Sequence, residues 1–478
     1  MEAAICTEHN ETRLRQRCLG PWAVLGQSIA NIGASAAPLI SIPAVAASAG
    51  TGTWLSFLLA TAGVILIAMN INSFARDSSG TGSLYDYIAR SLGPAAGVLG
   101  GWALAIAYIG CGAACVPLFA YYFNTFLATA HIQVPPLLLS TVFVAAVWYC
   151  AWKDMRLSAH LMLGIEFSAL VVGLVLGLTI VFKQGANIDW AQFRVHRLAG
   201  IGQGSVLAFM ALVGFESAAS LGDEARNPLK TIPRAIVASS LIAGSYFVLH
   251  AYAMVAGFRG LPGGLAASSA PVKQVAAAFG VPLLAWLLTS AGLVGSFAIV
   301  LACVNAGART LFLLAQHGVL PPAFRRIHPV NRTPGFSVTV SSLIALAVVI
   351  PLSVAGIPPR DIWGYVGSVC TFGFLTAYLL ITIGTPVYLY RQGHLRGWNI
   401  AVSALATAVV LIPFVASVYP APPFPENILI FIFAGLMAAG FGWFLVLRAR
   451  RPEIVGDIEV HLAETYERFA ADRQNAAG

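Results

Sequence analysis

Asn31-Ile32-Gly33-Ala34-Ser35-Ala36-Ala37-Pro38 puts small residues and a proline in the middle of a long apolar run. That run extends from Cys18 to Ala75 without an Asp, Glu, Lys or Arg. Backbone in hydrocarbon has no water to bond, so an unwound stretch survives only where protein or a cavity shelters it. A second interruption, Val213-Gly214-Phe215-Glu216-Ser217, sets a carboxylate beside a glycine in another apolar run. Counting spans outward places the two breaks in the first and sixth, at equivalent positions of two five-span halves. Small residues alone serve close helix packing equally well; the matched break five spans later decides between the readings. Paired breaks of this kind indicate an inverted repeat with a binding site near the bilayer midplane.

The surroundings of the breaks agree. The chain has 478 residues, 58% of them hydrophobic and only 10% charged, against about 25% charged in soluble domains. Few charges on so long a chain exclude a water-soluble fold and predict an all-α polytopic membrane protein. Each crossing needs about 20 apolar residues. The stretch 18–75 holds two spans joined at Gly50-Thr51-Gly52-Thr53, and 91–152 holds two more, parted near His131 and Pro135-Pro136. Eight further spans fall near 157–182, 199–222, 234–257, 282–313, 336–356, 361–390, 397–418 and 427–447, twelve in all. The expected organisation is an N-terminal tail (1–20), a ten-span core (21–392), two additional spans (393–450) and a C-terminal tail (451–478).

Lys and Arg stay preferentially on the cytoplasmic side of bacterial membranes. With the N-terminus inside, 21 of the 27 fall in cytoplasmic segments; Lys183, Arg194, Arg197, Arg259, Lys273 and Arg360 remain outside. Both termini are therefore expected in the cytoplasm, with the protein in a bacterial inner membrane. The net charge of +8 needs no nucleic-acid partner. Residues 1–20 are polar and the first apolar run is too long for a signal-peptide core, so no cleavage is expected. On this topology the Asn10-Glu11-Thr12 sequon is cytoplasmic and coincidental.

Other features are weak. Seven cysteines are scattered without disulfide-framework or metal-ligand spacing. Cys111 and Cys115 share a helix face and read as small packing residues. Neither a phosphate-binding Gly-rich loop ending in Lys-Ser/Thr nor a His-Glu-x-x-His pair occurs, so neither ATP hydrolysis through that loop nor enzymatic chemistry is expected, and no cofactor or metal. A channel would need a repeated filter or a polar stripe, and none is visible. Gly200-x-Gly202-x-Gly204 reads as flexibility at a helix start. Segments 183–198 and 259–281 are long enough to fold over an entrance. The acidic tail sets Ile458, Leu462, Tyr466 and Phe469 on one helical face, suited to a membrane surface or a loose tail.

Three segments resemble the amino acid–polyamine–organocation permeases, a resemblance that covers essentially the whole chain. Gly80-Thr81-Gly82-Ser83-Leu84-Tyr85 runs through Tyr87 to Leu92-Gly93-Pro94. The sixth span reads Gly214-Phe215-Glu216-Ser217, then Asp223-Glu224-Ala225-Arg226-Asn227-Pro228 and Thr231-Ile232-Pro233-Arg234-Ala235. The eighth ends Asn305-Ala306-Gly307-Ala308-Arg309, followed by Gly318-Val319-Leu320-Pro321-Pro322 and Ile327-His328-Pro329. The resemblance implies a five-plus-five inverted repeat with two extra C-terminal helices and substrate held between the broken spans. By position, the N–H groups of Ser35 and Ala36 would face a substrate carboxylate at a positive helix end. Carbonyls at Ile32 and from Phe209 to Leu212 would accept from its ammonium group, with Met210 and Phe215 shaping the pocket or gate. Two departures stand out. Gly33-Ala34-Ser35-Ala36 replaces the family's Gly-x-Gly break, which favours small or non-standard substrates. Gln316-His317 replaces an Arg-Asp pair.

The implied function is secondary transport of an amino acid or related small amine by alternating access, with a proton as the expected coupling ion. An amine exchanger, or a membrane sensor that kept the fold without transport, are the alternatives. Of 19 acids only Glu166 and Glu216 lie well inside spans. A carboxylate in hydrocarbon costs at least a few kcal/mol when ionised, which makes both candidates for proton coupling or gating. His250, mid-span in the seventh helix, reads as a hydrogen-bonded packing residue. No feature selects an oligomeric state.

Overall fold

The computed structural model describes residues 19–78, 83–127, 132–153, 155–184, 189–194, 198–222, 224–268 and 270–477. The Asn10 sequon, Gly80-Thr81-Gly82, His131 and Asp223 lie outside the described residues, as does the side chain of Phe469.

Proline and glycine punctuate the chain. Helix α1 (Pro21–Ile32) starts on Pro21 and ends where Gly33 turns left-handed, φ 67°. The N–H groups of Ala36 and Ala37 both return to the Gly33 carbonyl, closing the break before α2 (Ala37–Ala49). A side chain at Gly33 is barred twice, by its φ and by Ile299, whose side chain occupies the place of a Cβ. Then come α3 (Thr53–Ala75), the short α4 (Ser83–Leu92), α5 (Pro94–Leu127), α6 (Pro136–Lys153) and α7 (Met155–Lys183).

The second half opens in the same way. Helix α8 (Leu198–Met210) stops after one further turn, in which the N–H groups of Leu212 and Val213 bond the Phe209 carbonyl. Gly214 (φ 91°) reverses the chain before a 3-10 turn at Ser217–Leu221. Next are α9 (Pro228–Gly257), two short helices α10 (Gly264–Ala267) and α11 (Pro271–Ala278), α12 (Pro282–Gln316), α13 (Gly335–Val354) and α14 (Pro359–Arg391). Helices α15 (Gly397–Ala416), α16 (Glu426–Arg450) and α17 (Ile454–Ala477) complete the chain.

Among the described residues, ten helical runs are long and apolar enough to cross a membrane. The first, Pro21–Ala75, holds two crossings, and the broken span that begins with α8 adds another, giving twelve. Four spans lie between the two broken ones, so the first and sixth, and the halves they open, run in opposite directions through the layer. Apolar side chains such as Phe167, Phe182 and Phe431 stand exposed around the outside, a liability in water and the required surface in lipid.

One expectation is corrected. The apolar face of α17 rests on protein: Ile454, Ile458 and Leu462 are buried in a cluster with Tyr85 and Ala89 of α4 and Leu314 of α12.

Candidate functional site

The two breaks lie side by side, and polar side chains of α1 bind them together. The Ser28 hydroxyl donates to the Phe215 carbonyl at 2.6 Å and accepts from the Ala218 N–H at 3.0 Å. Asn31 Nδ2 reaches the Gly214 carbonyl at 3.4 Å. The Asn31 side chain fills the place of a Cβ on Gly214, so only glycine combines this φ with this approach. The Ser217 hydroxyl donates to the Gln27 carbonyl at 3.3 Å. The unwound backbone of one span is thus partly satisfied by side chains of the other, as burial demands.

Each predicted carboxylate grips one break. Glu166, on α7, accepts the Ser35 N–H at 2.9 Å and the Ser35 hydroxyl at 2.7 Å. Gly295 of α12 makes this possible, because a Cβ there would strike the Ser35 hydroxyl. Glu216 accepts from Tyr108 of α5 at 2.8 Å on one oxygen and from Tyr378 of α14 on the other. Both acids are completely buried.

The other predicted residues lie at or beside the two breaks, each with its own contacts. Ile32 ends α1 at the break and is buried. In this structure the Ser35 N–H bonds Glu166, and the Ala36 N–H bonds the Gly33 carbonyl. The Ala36 carbonyl accepts from Tyr122 at 3.1 Å. The Phe209 carbonyl closes its own turn, while its ring packs where Gly63 of α3 leaves room, beside Val409 of α15. Leu212 is buried within the break. Met210 lays its thioether methyl on Gly367 of α14, and the Phe215 ring lies 5.4 Å from that of Tyr378. His250 is buried with its ring stacked 5.4 Å from Tyr246.

The two faces of the molecule differ. On the face opposite the termini, a vestibule of about 410 Å³ is lined by Ser48, Gln203, Leu207, Arg360, Asp361 and Trp363, among others. Trp363, one of these residues, is buried. On the opposite face, which carries Leu19 and α17, described residues tie the two halves together. Leu19 pairs with the sixth-span exit through its N–H to the Glu224 carbonyl (2.8 Å) and its carbonyl to the Arg226 N–H (3.0 Å). Glu224 also forms a buried ion pair with Arg309 of α12. His317, where the resemblance expects a charged pair, instead meets the Tyr85 hydroxyl at 2.7 Å. Three motif segments distant in sequence therefore converge on one closure.

Sequence reasoning missed Tyr108, Tyr378 and the Arg309–Glu224 pair. A phenol deep in an apolar span was the available signal, since a buried hydroxyl usually finds a partner.

The comparisons with known proteins agree with this architecture. A branched-chain amino acid permease of Bacillus subtilis is 24% identical over 376 residues, covering 73% of this chain and 76% of that protein. A methylthioribose transporter of the same organism is 22% identical over 366 residues, with coverage of 73% and 76%. The solved structure of MhsT in complex with L-phenylalanine superposes with a TM-score of 0.55 at 13% identity, covering 82% of this chain and 98% of that one. The fold is the five-plus-five LeuT-like inverted repeat. The amino acid permease family model matches residues 24–439, and with both broken spans inside that range this chain belongs to the amino acid permease family.

Proposed function

We propose that this chain is a secondary active transporter carrying an amino acid or related small amine across a bacterial inner membrane by alternating access, coupled to a proton. Both termini lie in the cytoplasm, residues 21–392 form the transport core, and 393–450 flank it. The observation that carries the reading is the Ser35–Glu166 contact. It ties a buried carboxylate of α7 to the start of α2, where the resemblance places the substrate carboxylate.

The chemistry follows from that placement. Ionised Glu166 competes for the Ser35 N–H with an incoming carboxylate. A protonated Glu166 loses its charge and holds that donor less tightly, so the N-terminal end of α2 is more available to an anion. Proton and substrate then bind together, which is the condition for coupling. A proton crossing about 100 mV contributes roughly 2.3 kcal/mol. Glu216, held by phenols from α5 and α14, ties the other break to both neighbours.

The first test is thermal stabilisation of the detergent-purified protein with each of the twenty amino acids and common amines, since a ligand of the folded state raises its stability. The hit is then followed in proteoliposomes, where an inward proton gradient should accelerate uptake by wild type and leave Glu166→Gln unmoved. Uptake indifferent to the gradient but dependent on internal amine identifies the exchanger. Stabilisation without any uptake identifies a sensor.

A further inference from the structure

A second pocket lies away from the two breaks, where the end of α3 and the start of α15 meet α9 and α14. It measures about 320 Å³ and is lined by Asn72, Ser73, Arg76, Thr385, Trp398 and Asn399, among others. No Asp or Glu is among its lining residues. Helix α15 begins with Arg396 at the N-cap, whose side chain cannot accept from the free N–H groups of the first turn. The Arg76 guanidinium, at the C-cap of α3, is exposed and makes no hydrogen bond or ion pair among the described residues. Asn72 is only 8% exposed. Its Nδ2 donates to the Pro233 carbonyl at 3.2 Å, which fixes the amide's orientation and leaves the buried Oδ1 without a donor. Asn70 shows the contrast, since its Oδ1 accepts from the Ser403 hydroxyl at 2.6 Å. A buried acceptor left unpaired is costly, and an uncapped helix start beside a free arginine favours an anion. One ligand that joins an anion to a hydrogen-bond donor answers all three.

We propose that this pocket binds the headgroup of one membrane phospholipid, an anionic phosphodiester whose alcohol carries a free hydroxyl, as in phosphatidylglycerol. The phosphate meets the N–H groups at the start of α15 and the Arg76 guanidinium, and the headgroup hydroxyl donates to Asn72 Oδ1. A zwitterionic headgroup with an ammonium also offers a donor, but it brings no net charge to a pocket lined by arginine without an acid. A soluble phosphate ester has the same polar chemistry. The lipid is favoured by what surrounds the pocket: Trp398 is 69% exposed and Met69 37%, at the ends of two membrane-spanning helices. An indole suits the headgroup level, with an apolar body and one donor, and Met69 gives the acyl chains an apolar surface. On the orientation proposed above the site faces the cytoplasmic leaflet, where basic side chains attract anionic lipid.

The test is native mass spectrometry of the full-length, delipidated protein titrated with dioleoyl phosphatidylglycerol, phosphatidylethanolamine and phosphatidylmethanol. The last is an anionic phosphodiester whose headgroup has no donor. Phosphatidylglycerol should bind one to one, at least tenfold tighter than phosphatidylethanolamine and severalfold tighter than phosphatidylmethanol. Asn72→Leu should abolish the preference over phosphatidylmethanol while still binding both, and Arg76→Gln should weaken both at least tenfold. Arg76→Gln breaks no bond among the described residues, so it decides the matter even where Asn72→Leu fails to fold. Equal affinity for phosphatidylglycerol and phosphatidylethanolamine, or binding unchanged in Arg76→Gln, overturns the site. A preference over phosphatidylmethanol that survives Asn72→Leu overturns the role of Asn72. Displacement of phosphatidylglycerol by glycerol 3-phosphate at equal concentration assigns the pocket to a soluble phosphate ester and overturns the lipid. None of these readouts involves transport, so they stand or fall apart from the transport reading.

Discussion

Glu166 and Glu216 are both completely buried, yet their partners differ in kind. Glu166 takes two donors from a single residue of the first break, so replacing either atom set acts on that break alone. In Glu166→Gln one amide end faces a donor with a donor, and the start of α2 loosens. The expected result is a loss of about 1–3 kcal/mol, the usual cost of stranding a buried polar group, read as a lower melting temperature. Tyr108→Phe and Tyr378→Phe each strip one donor from Glu216. Each should cost a similar amount, and a double-mutant cycle should be non-additive because both act on one carboxylate. At Gly214, φ 91° and the Asn31 side chain leave no room for a methyl group. Gly214→Ala should lower substrate-induced stabilisation below detection, and an unchanged response would remove Asn31–Gly214 from the binding machinery.

Helices show how much was legible beforehand. The breaks at 33–36 and 211–216 were readable because glycine, small residues and proline announce them wherever they occur. Their partners were not: Ser35 and Glu166 are 131 residues apart, and Asn31 and Gly214 are 183 apart. Periodicity fixes which face of a helix is apolar and is silent about what covers it. The face of α17 read from Ile458 and Leu462 is real, but its cover is α4 and the end of α12. The Arg309–Glu224 pair, from two motifs, carries a prediction at this scale. Breaking a buried pair by removing one partner costs about 3–5 kcal/mol, whereas an apolar replacement of both is often neutral. Arg309→Met alone should therefore unfold at markedly lower temperature than the double variant Arg309→Met/Glu224→Met. Equal melting temperatures would show that the pair is not buried in the resting protein.

At the scale of the whole molecule, one face carries the Leu19 bridge and the Arg309–Glu224 pair and the other a vestibule. A cysteine introduced at Gln203 in the vestibule should react with a membrane-impermeant maleimide without substrate, while one at Leu19, buried in its bridge to Ala225, should not. The reverse pattern would mean that the resting molecule opens toward its termini. On the alternating-access transport and orientation proposed above, this asymmetry also bears on how the protein is measured. A solute arriving from the vestibule side meets a competent form directly. One arriving from the other side would have to wait for the Leu19 bridge and the Arg309–Glu224 pair to part. When only a fraction of molecules is competent, apparent affinity falls by that fraction. Half-saturation should thus be reached at lower concentration in right-side-out vesicles than in inverted ones, although the final accumulation ratio, fixed by the gradients alone, is the same for both.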